Sequence, residues 1–247
     1  MFGQRIGSAT QRMTLIAALT ADKLPRFRPI RSFVHRQSGL SQQRQSALNT
    51  LLAAYSLPVD QGLFNLEKIF QRAVPTTLEI GFGMGHHLLA QAQQYPEQNF
   101  LGVEVHRPGI AAVLVGIDRL KLANLRIIYA DAVDVLDRCI ANNALDVIQI
   151  FFPDPWPKRR HHKRRLIQLE FATQLQRKLK MGGQLQLATD WQHYAEHMLC
   201  VLENTPGLKN SAGANKFSPR LSQRLPTKFE QRGQQQGHII WDLLFCT

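Results

Sequence analysis

The sequence predicts an α/β fold with a mostly parallel, doubly wound sheet and an antiparallel C-terminal strand. Three observations predict it. From Thr76 onward short apolar runs alternate with amphipathic segments, a glycine-rich turn follows the first run, and the last apolar run has no helix after it. Strands that alternate with helices build a parallel sheet covered on both faces. A final strand without a crossover helix is expected to enter that sheet in the opposite direction.

The individual elements follow in order along the chain. A first helix is expected at residues 42–55, where apolar side chains recur at helical spacing. Strands are expected at residues 77–80, 100–105, 125–129, 145–152, 184–188 and 237–245. Further helices are expected from the glycine turn to residue 94, at residues 109–122 and at residues 164–180. The pair Gly182 and Gly183 is predicted to end the last of these helices.

The charge of the chain indicates a polyanionic partner. Its 247 residues contain 30 Lys and Arg against 18 Asp and Glu, a formal net charge of +12 with a pI near 10.1. No apolar run approaches the roughly 20 residues that span a bilayer, so nucleic acid is favoured over a membrane. The three cysteines lack CxxC spacing and are expected to be free thiols in a reducing cytoplasm.

The N-terminal part of the chain differs in composition from the rest. Residues 1–58 are predicted to be a basic, partly flexible extension, and residues 59–247 the main domain. The first thirty residues contain few acids, so their composition also overlaps with that of an organelle transit peptide. Oligomeric state is not readable from the sequence, and both a monomer and a homodimer are compatible with it.

A glycine-rich turn joins the first predicted strand to its helix, with Glu79 before it and Gly81, Gly83 and Gly85 within it. Glycines let a ligand approach the backbone closely. A dinucleotide fingerprint needs G-x-G-x-x-G, whereas the third glycine here comes one residue early. The E-x-G-x-G-x-G form resembles the first motif of class I S-adenosylmethionine-dependent methyltransferases, which have a Rossmann-like fold. A plain tight turn is the alternative interpretation.

Four successive predicted strands each bring an acid to one edge of the sheet, namely Glu79, Glu104, Asp131 and Asp154. Glu104 lies about twenty residues after the glycines, where a carboxylate accepts hydrogen bonds from ribose hydroxyls. Asp131 precedes the small Ala132, which leaves space for an adenine ring. Any one acid is more often a helix cap or a solvated turn residue. Together they suit a cationic sulfonium better than a pyrophosphate, so S-adenosyl-L-methionine is the predicted cofactor.

The most specific stretch is F-F-P-D-P-W-P-K at residues 151–158, which a dense basic run follows. The prolines stiffen the loop and hold Asp154 at the carboxyl end of its strand. Trp156 offers a flat face on which a base can stack. A phosphate-binding run is predicted from Arg160, His161, His162, Lys163, Arg164 and Arg165. The structural alternatives are a strand exit with a buried Trp and a solvated helix start.

These motifs, together with T-D-W at residues 189–191 and T-K-F-E at residues 227–230, resemble the tRNA (guanine-N7-)-methyltransferase family of the bacterial TrmB type. The resemblance extends from about residue 31 to the C-terminus. It implies methyl transfer from S-adenosylmethionine to N7 of a guanine in the variable loop of tRNA, usually position 46. The product would be 7-methylguanosine.

The resemblance also implies roles for individual positions. The four acids would contact the cofactor, and Asp154 would also be the catalytic residue. The three glycines and Ala132 are predicted to complete the cofactor site from their own positions and small size. The basic run at residues 160–165 would bind the tRNA. The substrate would be contacted by Lys158, Asp190, Thr227, Lys228, Phe229 and Glu230.

The chemistry of the reaction limits what these residues have to do. Guanine N7 has a lone pair and no proton, so no general base is required and alignment and electrostatics should dominate. Asp154 is therefore expected to orient the guanine or the sulfonium. Asp190 or Glu230 would accept hydrogen bonds from guanine N1–H and the exocyclic amine, which would select G over A.

Other functions are not excluded by the sequence. One is methylation of an exocyclic amine on adenine, which uses a related Asp-Pro-Pro-aromatic loop with a different order of prolines. Another is a non-catalytic tRNA-binding protein that retains the fold. The H-x-x-E-H pattern at residues 193–197 has the form of a zinc peptidase helix, but no third ligand is evident, so no metal is predicted.

Overall fold

A mostly parallel sheet forms the centre of the molecule. The computed structural model describes residues 32–33, 39–221, 224, 230 and 239–247. In these ranges the strands are β1 (Thr76–Ile80), β2 (Asn99–Glu104), β3 (Leu125–Tyr129), β4 (Leu145–Phe151), β5 (Leu179–Thr189), β6 (Lys209–Asn210) and β7 (Trp241–Cys246). Their order is β3-β2-β1-β4-β5-β7-β6, with β1 to β5 parallel and β7 antiparallel to both of its neighbours. The predicted α/β class and the antiparallel last strand are confirmed.

Helices cover both faces of this sheet. They are α1 (Gln42–Tyr55), α2 (Leu66–Phe70), α3 (His86–Gln94), α4 (Arg107–Leu120), α5 (Ala132–Arg138), α6 (Leu169–Lys178) and α7 (Gln192–Glu203). Helices α1, α3 and α4 pack with Phe100 of β2 in one apolar core, and α5, α6 and α7 pack with Leu101 in the other. Adjacent residues of β2 thus point to opposite cores, as the pleat of a strand requires.

The strand order reverses between β1 and β4. The chain runs from β1 outward through β2 and β3, and then returns to place β4 on the other side of β1. In open α/β sheets, ligands bind at such a reversal, beyond the carboxyl ends of the strands. The reversal therefore brings the glycine turn after β1 next to the proline-rich loop after β4.

Helix α1 agrees with the prediction for residues 42–55 and packs on the sheet domain. Its buried Ala47 and Leu48 join the core formed by α3 and α4. The residues after it extend along the outer edge of β3, where Leu57 N donates to Ile127 O at 2.9 Å and Ser56 forms a parallel bridge to Ile127. The exposed edge of β3 is therefore covered by the chain itself.

The helix predicted at residues 164–180 is wrong at both ends. The basic run forms a 3₁₀ helix, Arg159–Arg164, and α6 begins only at Leu169 because Arg165 is held in a non-helical contact described below. At its other end, Leu179 already pairs with Leu145, and Gly182, with φ 75°, lies inside β5. The glycine pair therefore accommodates an irregular strand start instead of ending a helix.

The last strand begins later than predicted. Strand β7 starts at Trp241, and of the nine residues predicted as strand, residues 237–238 lie outside the described part of the chain. In the described ranges, no helix is both long and apolar enough to cross a membrane.

Candidate functional site

A cavity of about 700 Å³ opens at the reversal of strand order. It lies at the carboxyl ends of β1 to β4, and Glu79, Glu104, Asp131 and Asp154 all line it. The structure thus brings together the four acids that the sequence placed at strand ends. Small-molecule pockets commonly measure about 300–1,000 Å³, so the volume suits a ligand of nucleoside size.

The glycine turn forms one wall of the cavity. Gly81, Gly83 and Gly85 have φ of 74°, 55° and 72°, and α3 begins directly after Gly85. This left-handed backbone is strained for residues with a side chain, which explains the alternate glycines. Beside Gly81 and Gly83 no atom lies within 4 Å of the position a Cβ would take. The turn therefore leaves open space for close approach of a ligand.

The turn is also fixed from behind by α4. A Cβ on Gly109 would lie 1.9 Å from Gly83 O, and one on Gly85 would lie 1.9 Å from Val113 Cγ2. Both distances are far shorter than van der Waals contact. The first turn of α4 can therefore pack on the glycine turn only because Gly109 lacks a side chain.

Glu104 connects the end of β2 to the same turn. Its Oε2 accepts a hydrogen bond from Gly83 N at 2.8 Å, and its Oε1 accepts from Val105 N at 2.7 Å and His106 N at 2.9 Å. Three backbone donors hold the carboxylate in one orientation. Oε1 accepts two of these bonds and Oε2 only one, so Oε2 keeps a lone pair that can accept from a ligand hydroxyl.

Glu79 is buried at the base of the cavity. Its Oε2 lies 3.0 Å from Nδ1 of His87, whose ring packs edge-on against Phe151 with centroids 5.0 Å apart. Within the described ranges, the buried Nε2 of His87 has no hydrogen-bond partner. A buried polar atom in a cavity wall normally finds a partner, so the site fits a ligand with polar groups of its own.

Asp131 combines the two roles that the sequence left open. Its Oδ1 accepts from Val133 N at 3.0 Å and so caps α5, while the residue also lines the cavity. Ala132 after it is buried. The acids, the glycine turn and the cavity volume together fit S-adenosylmethionine.

The loop that carries Asp154 is strained. Phe152 and Trp156, on either side of it, have φ of 52° and 45°, although neither is a glycine. Such residues persist only where the surroundings hold them. Phe152 N donates to Ala188 O at 2.7 Å, and the indole Nε1 of Trp156 donates to Ser32 O at 3.0 Å. Asp154 itself is exposed.

Sequence reasoning missed several residues of the cavity wall. Ser32 and Phe33 line it from the N-terminal side, and Arg44 of α1 and Arg119 of α4 also line it. The first three lie in the basic N-terminal part, and Arg119 lies on a helix surface, so composition gave no signal for any of them. A charge excess does not distinguish cavity residues from a solvated tail.

The basic run divides into an exposed part and a buried part. Lys158, Arg160 and Lys163 are exposed, and the guanidinium of Arg164 lies 5.0 Å from the centre of the Trp156 ring. A cation at this distance from an indole is stabilised by the ring electrons. These side chains form a cationic surface next to the Asp154 loop.

The two histidines of the run differ from its lysines and arginines. His161 packs edge-on against Trp156 with centroids 5.8 Å apart, and His162 lies 5.0 Å from His193. Desolvation and the charges of Arg160 and Arg164 lower the pKa of His161. The neutral form of the His161 ring is therefore favoured beside Trp156.

Arg165 is the buried member, with 2% of its surface exposed. Its Nε donates to Pro155 O at 3.0 Å, its two terminal nitrogens lie 3.2 Å from His193 Nδ1, and its guanidinium lies 4.8 Å from the Tyr194 ring centre. These contacts fix the backbone beside Asp154. They also occupy His193 of the H-x-x-E-H pattern, and His197 Nε2 lies 2.8 Å from Ile167 O.

Besides Lys158, which is exposed, the predicted substrate residues fall into three groups. Asp190 is half-buried at the end of β5, next to the strand that carries the Asp154 loop. Glu230 is only 1% exposed, and its carboxylate is bound by Arg224 and Arg220. The remaining three, Thr227, Lys228 and Phe229, lie outside the described residues.

Comparison with known sequences gives consistent matches. Residues 73–243 match the model of a family described as "Putative methyltransferase". The chain is 50% identical over 218 residues to a tRNA (guanine-N(7)-)-methyltransferase of Pseudomonas putida, covering 88% of this chain and 91% of that protein. A protein of the same name from Idiomarina loihiensis is 47% identical over 220 residues, covering 89% of this chain and 90% of that protein.

Solved structures of lower identity share the fold. The 16S rRNA methyltransferase KamB superposes with a TM-score of 0.54 at 14% identity, over 75% of this chain and 94% of that chain. The aminoglycoside resistance methyltransferase NpmB1 gives a TM-score of 0.51 at 17% identity, over 77% of this chain and 94% of that chain. At these identities the likeness concerns the fold alone, and the predicted class I methyltransferase fold is confirmed.

The close contact between α4 and the glycine turn gives a first prediction. Gly109→Ala should weaken the affinity for S-adenosylmethionine by at least about tenfold, because the added methyl must displace Gly83 O and neither backbone can yield cheaply. Equilibrium dialysis with labelled S-adenosylmethionine measures it. Gly39→Ala is the matched control, since nothing lies within 4 Å of its Cβ position. An unchanged dissociation constant for Gly109→Ala would contradict the proposed link between this contact and binding.

Proposed function

We propose that this chain, which belongs to the tRNA (guanine-N(7)-)-methyltransferase family, methylates N7 of the guanine at position 46 in the variable loop of tRNA. S-adenosylmethionine is the methyl donor and 7-methylguanosine the product. One observation carries the proposal: a cavity lined by four carboxylates and a glycine turn opens beside a strained loop with an exposed Asp154 and a cationic surface. The three free cysteines suit a reducing cytoplasm, where we place the reaction.

The donor site is built mainly from groups that are already oriented. Glu104, held by three backbone N–H groups, accepts a hydrogen bond from a ribose hydroxyl through Oε2, and Asp131 accepts from the adenine amine beside Ala132. Glu79 and the glycine turn hold the amino-acid end of the donor. When bound, S-adenosylmethionine supplies an electrophilic methyl group on a positively charged sulfur. The surrounding carboxylates favour that charge.

Asp154 acts without taking a proton, since guanine N7 attacks with a lone pair. The two left-handed residues beside it and the contact of Arg165 with Pro155 O hold the loop in one conformation. The carboxylate thereby orients the base at the mouth of the donor cavity and stabilises the positive charge that the ring acquires. Alignment of this kind accounts for a large share of the rate enhancement in reactions between two bound groups.

Asp190 is the better placed of the two acids suggested for reading the base. It is half-buried at the end of β5, whereas the Glu230 carboxylate is buried and bound by two arginines. A carboxylate that accepts from N1–H and the exocyclic amine discriminates guanine from adenine. Lys158, Arg160, Lys163 and Arg164 contact tRNA phosphates, and Lys158 lies nearest in sequence to Asp154.

A modified tRNA tests both the methylated nucleotide, guanosine 46, and the methylated atom, N7. Replacement of guanosine 46 by 7-deazaguanosine exchanges N7 for a carbon, so a transcript carrying this change should accept no methyl group. The measurement is transfer from labelled S-adenosylmethionine to full-length transcripts, followed by nucleoside analysis. The control transcript carries 7-deazaguanosine at another guanosine of the same loop region and should be methylated at the normal rate. Label in the 46-substituted transcript would refute the assigned position, and label in an adenosine would favour exocyclic-amine chemistry.

Asp154→Asn is expected to lower kcat by about 100-fold or more, because the charge that stabilises the cationic base is lost. The dissociation constant for tRNA should stay within about twofold, since phosphate contacts dominate that affinity. Single-turnover kinetics and filter binding measure the two quantities. Asp146→Asn is the matched control at the opposite end of β4, where the acid accepts from Thr76 N and Lys180. An equal decrease of kcat in both variants would show that Asp154 has no specific role in the reaction.

The two adjacent arginines should behave differently. Arg164→Ala is expected to weaken tRNA binding and to reduce the slope of log K against log salt by about 0.7–0.9, the contribution of one phosphate contact. Arg165→Lys keeps the charge but loses the planar group that joins Pro155 O to His193 Nδ1, so it should lower kcat and leave the slope unchanged. Binding across a salt series and steady-state kinetics separate the two effects. A reduced slope for Arg165→Lys would show that this residue contacts phosphate.

A further inference from the structure

A buried ion network lies beneath the loop that carries Asp154. Arg224, 1% exposed, donates to both carboxylate oxygens of Glu230 at 2.6 and 3.1 Å and to both of Asp242 at 2.7 and 2.9 Å. Arg220, which is half-exposed, adds a contact to Glu230 at 3.1 Å. Among the described residues, two arginines thus balance two carboxylates, and each carboxylate oxygen is hydrogen-bonded, the condition under which buried charges are tolerated.

The network favours the ionised form of Glu230. Burial alone would raise the pKa of Glu230, but the hydrogen bonds from Arg224 and Arg220 hold it below its ordinary value. Burial likewise opposes the charge of Arg224, but its hydrogen bonds to Asp242 and Glu230 raise its pKa. Hydrogen bonds between an arginine and a carboxylate are directional, so they fix the relative orientation of the two side chains more strictly than an apolar contact would.

The network is joined to the strained exit of β4. The guanidinium of Arg224 lies 6.0 Å from the ring centre of Phe151 and 5.7 Å from that of Phe152. Asp242 of β7 pairs with Ala188 of β5, and the carbonyl of Ala188 accepts the Phe152 N–H. The contacts close a ring around Phe152, whose left-handed backbone immediately precedes Pro153 and Asp154.

We propose that Arg224 is a positioning residue for methyl transfer: by clamping Glu230 and Asp242 beneath Phe152, it holds the loop on which Asp154 is presented. The inference rests on the proposed function for the identity of the reaction. It assigns Glu230 to the clamp, because the two oxygens of its buried carboxylate are already bound by Arg224 and Arg220. Glu230 therefore acts on the substrate through the loop and not by reading the guanine.

Arg224→Lys tests the clamp, since lysine keeps the charge but cannot form a planar fork to two acids. It should lower kcat by about 100-fold, which is the loss expected when a group in the active site is displaced by about 1 Å. The dissociation constant for S-adenosylmethionine should stay within about twofold of the wild-type value. Arg72→Lys is the matched control at the amino ends of the strands, where Arg72 donates to Asn99 Oδ1 and to the carbonyls of Pro96 and Gln98. Its kcat should remain within about twofold of the wild type.

A tRNA with inosine at the target position tests whether Glu230 supports the loop or contacts the guanine directly. Glu230→Gln should lower kcat by the same factor on tRNA with guanosine or inosine at the target position, because inosine differs only in lacking the exocyclic amine. Asp190→Asn is the comparison variant, and its penalty should shrink on inosine if that acid accepts from the amine. A Glu230→Gln penalty that disappears on inosine would overturn the clamp assignment in favour of direct base reading.

Two further results would refute the role of Arg224. One is a kcat for Arg224→Lys within about threefold of the wild type. The other is a loss of S-adenosylmethionine affinity and of thermal stability in proportion to the loss of kcat, which would indicate general unfolding. If the wild-type protein labels a nucleoside other than 7-methylguanosine, the proposed function fails. The comparison of Arg224→Lys with Arg72→Lys, measured on that product, still decides the clamp.

Discussion

The left-handed backbone of Phe152 is the constraint on which the site depends. It turns the chain sharply out of β4, so that Asp154 stands at the mouth of the cavity while Phe151 remains in the wall. A non-glycine residue in this conformation is costly and does not persist alone. The Ala188 carbonyl, Arg165 at Pro155 and Arg224 under the Phe152 ring restrain this turn. The strain is thus distributed over two strands and two buried arginines.

The positive charge of the chain serves two purposes that composition does not separate. Most of the excess of 30 basic over 18 acidic residues suits a polyanion. Arg165 and Arg224, however, are almost completely buried and donate to carbonyl, imidazole and carboxylate groups of the protein. Arginine is suited to such positions because its planar fork matches these acceptors. Both buried guanidinium groups lie next to the Asp154 loop.

The alternation of strands and helices was sufficient to predict the sheet, because the spacing of apolar residues within a short segment distinguishes a strand from a helix. Once the strand ends were predicted, the acids at those ends could be read directly from the sequence. The four acids gather as expected because parallel strands end at one edge. The helix at residues 164–180 was wrong since Arg165 bonds to Pro155, a contact that no local pattern contains. Arg224 was missed for the same reason: its partner Asp242 is 18 residues away, and hydropathy places an arginine at the surface.

The segment after α1 has a consequence for the molecule in a concentrated solution. An uncovered strand edge presents N–H and C=O groups to which another chain can add a strand, and this is a common start of aggregation. Ser56 and Leu57 occupy that position along β3. A shortened chain that starts after Leu57 would lose the part of the cavity wall formed by Ser32, Phe33 and Arg44, and it would also leave the edge of β3 open to pairing with other chains. The residues before the first strand therefore protect the sheet from self-association, whatever else they bind.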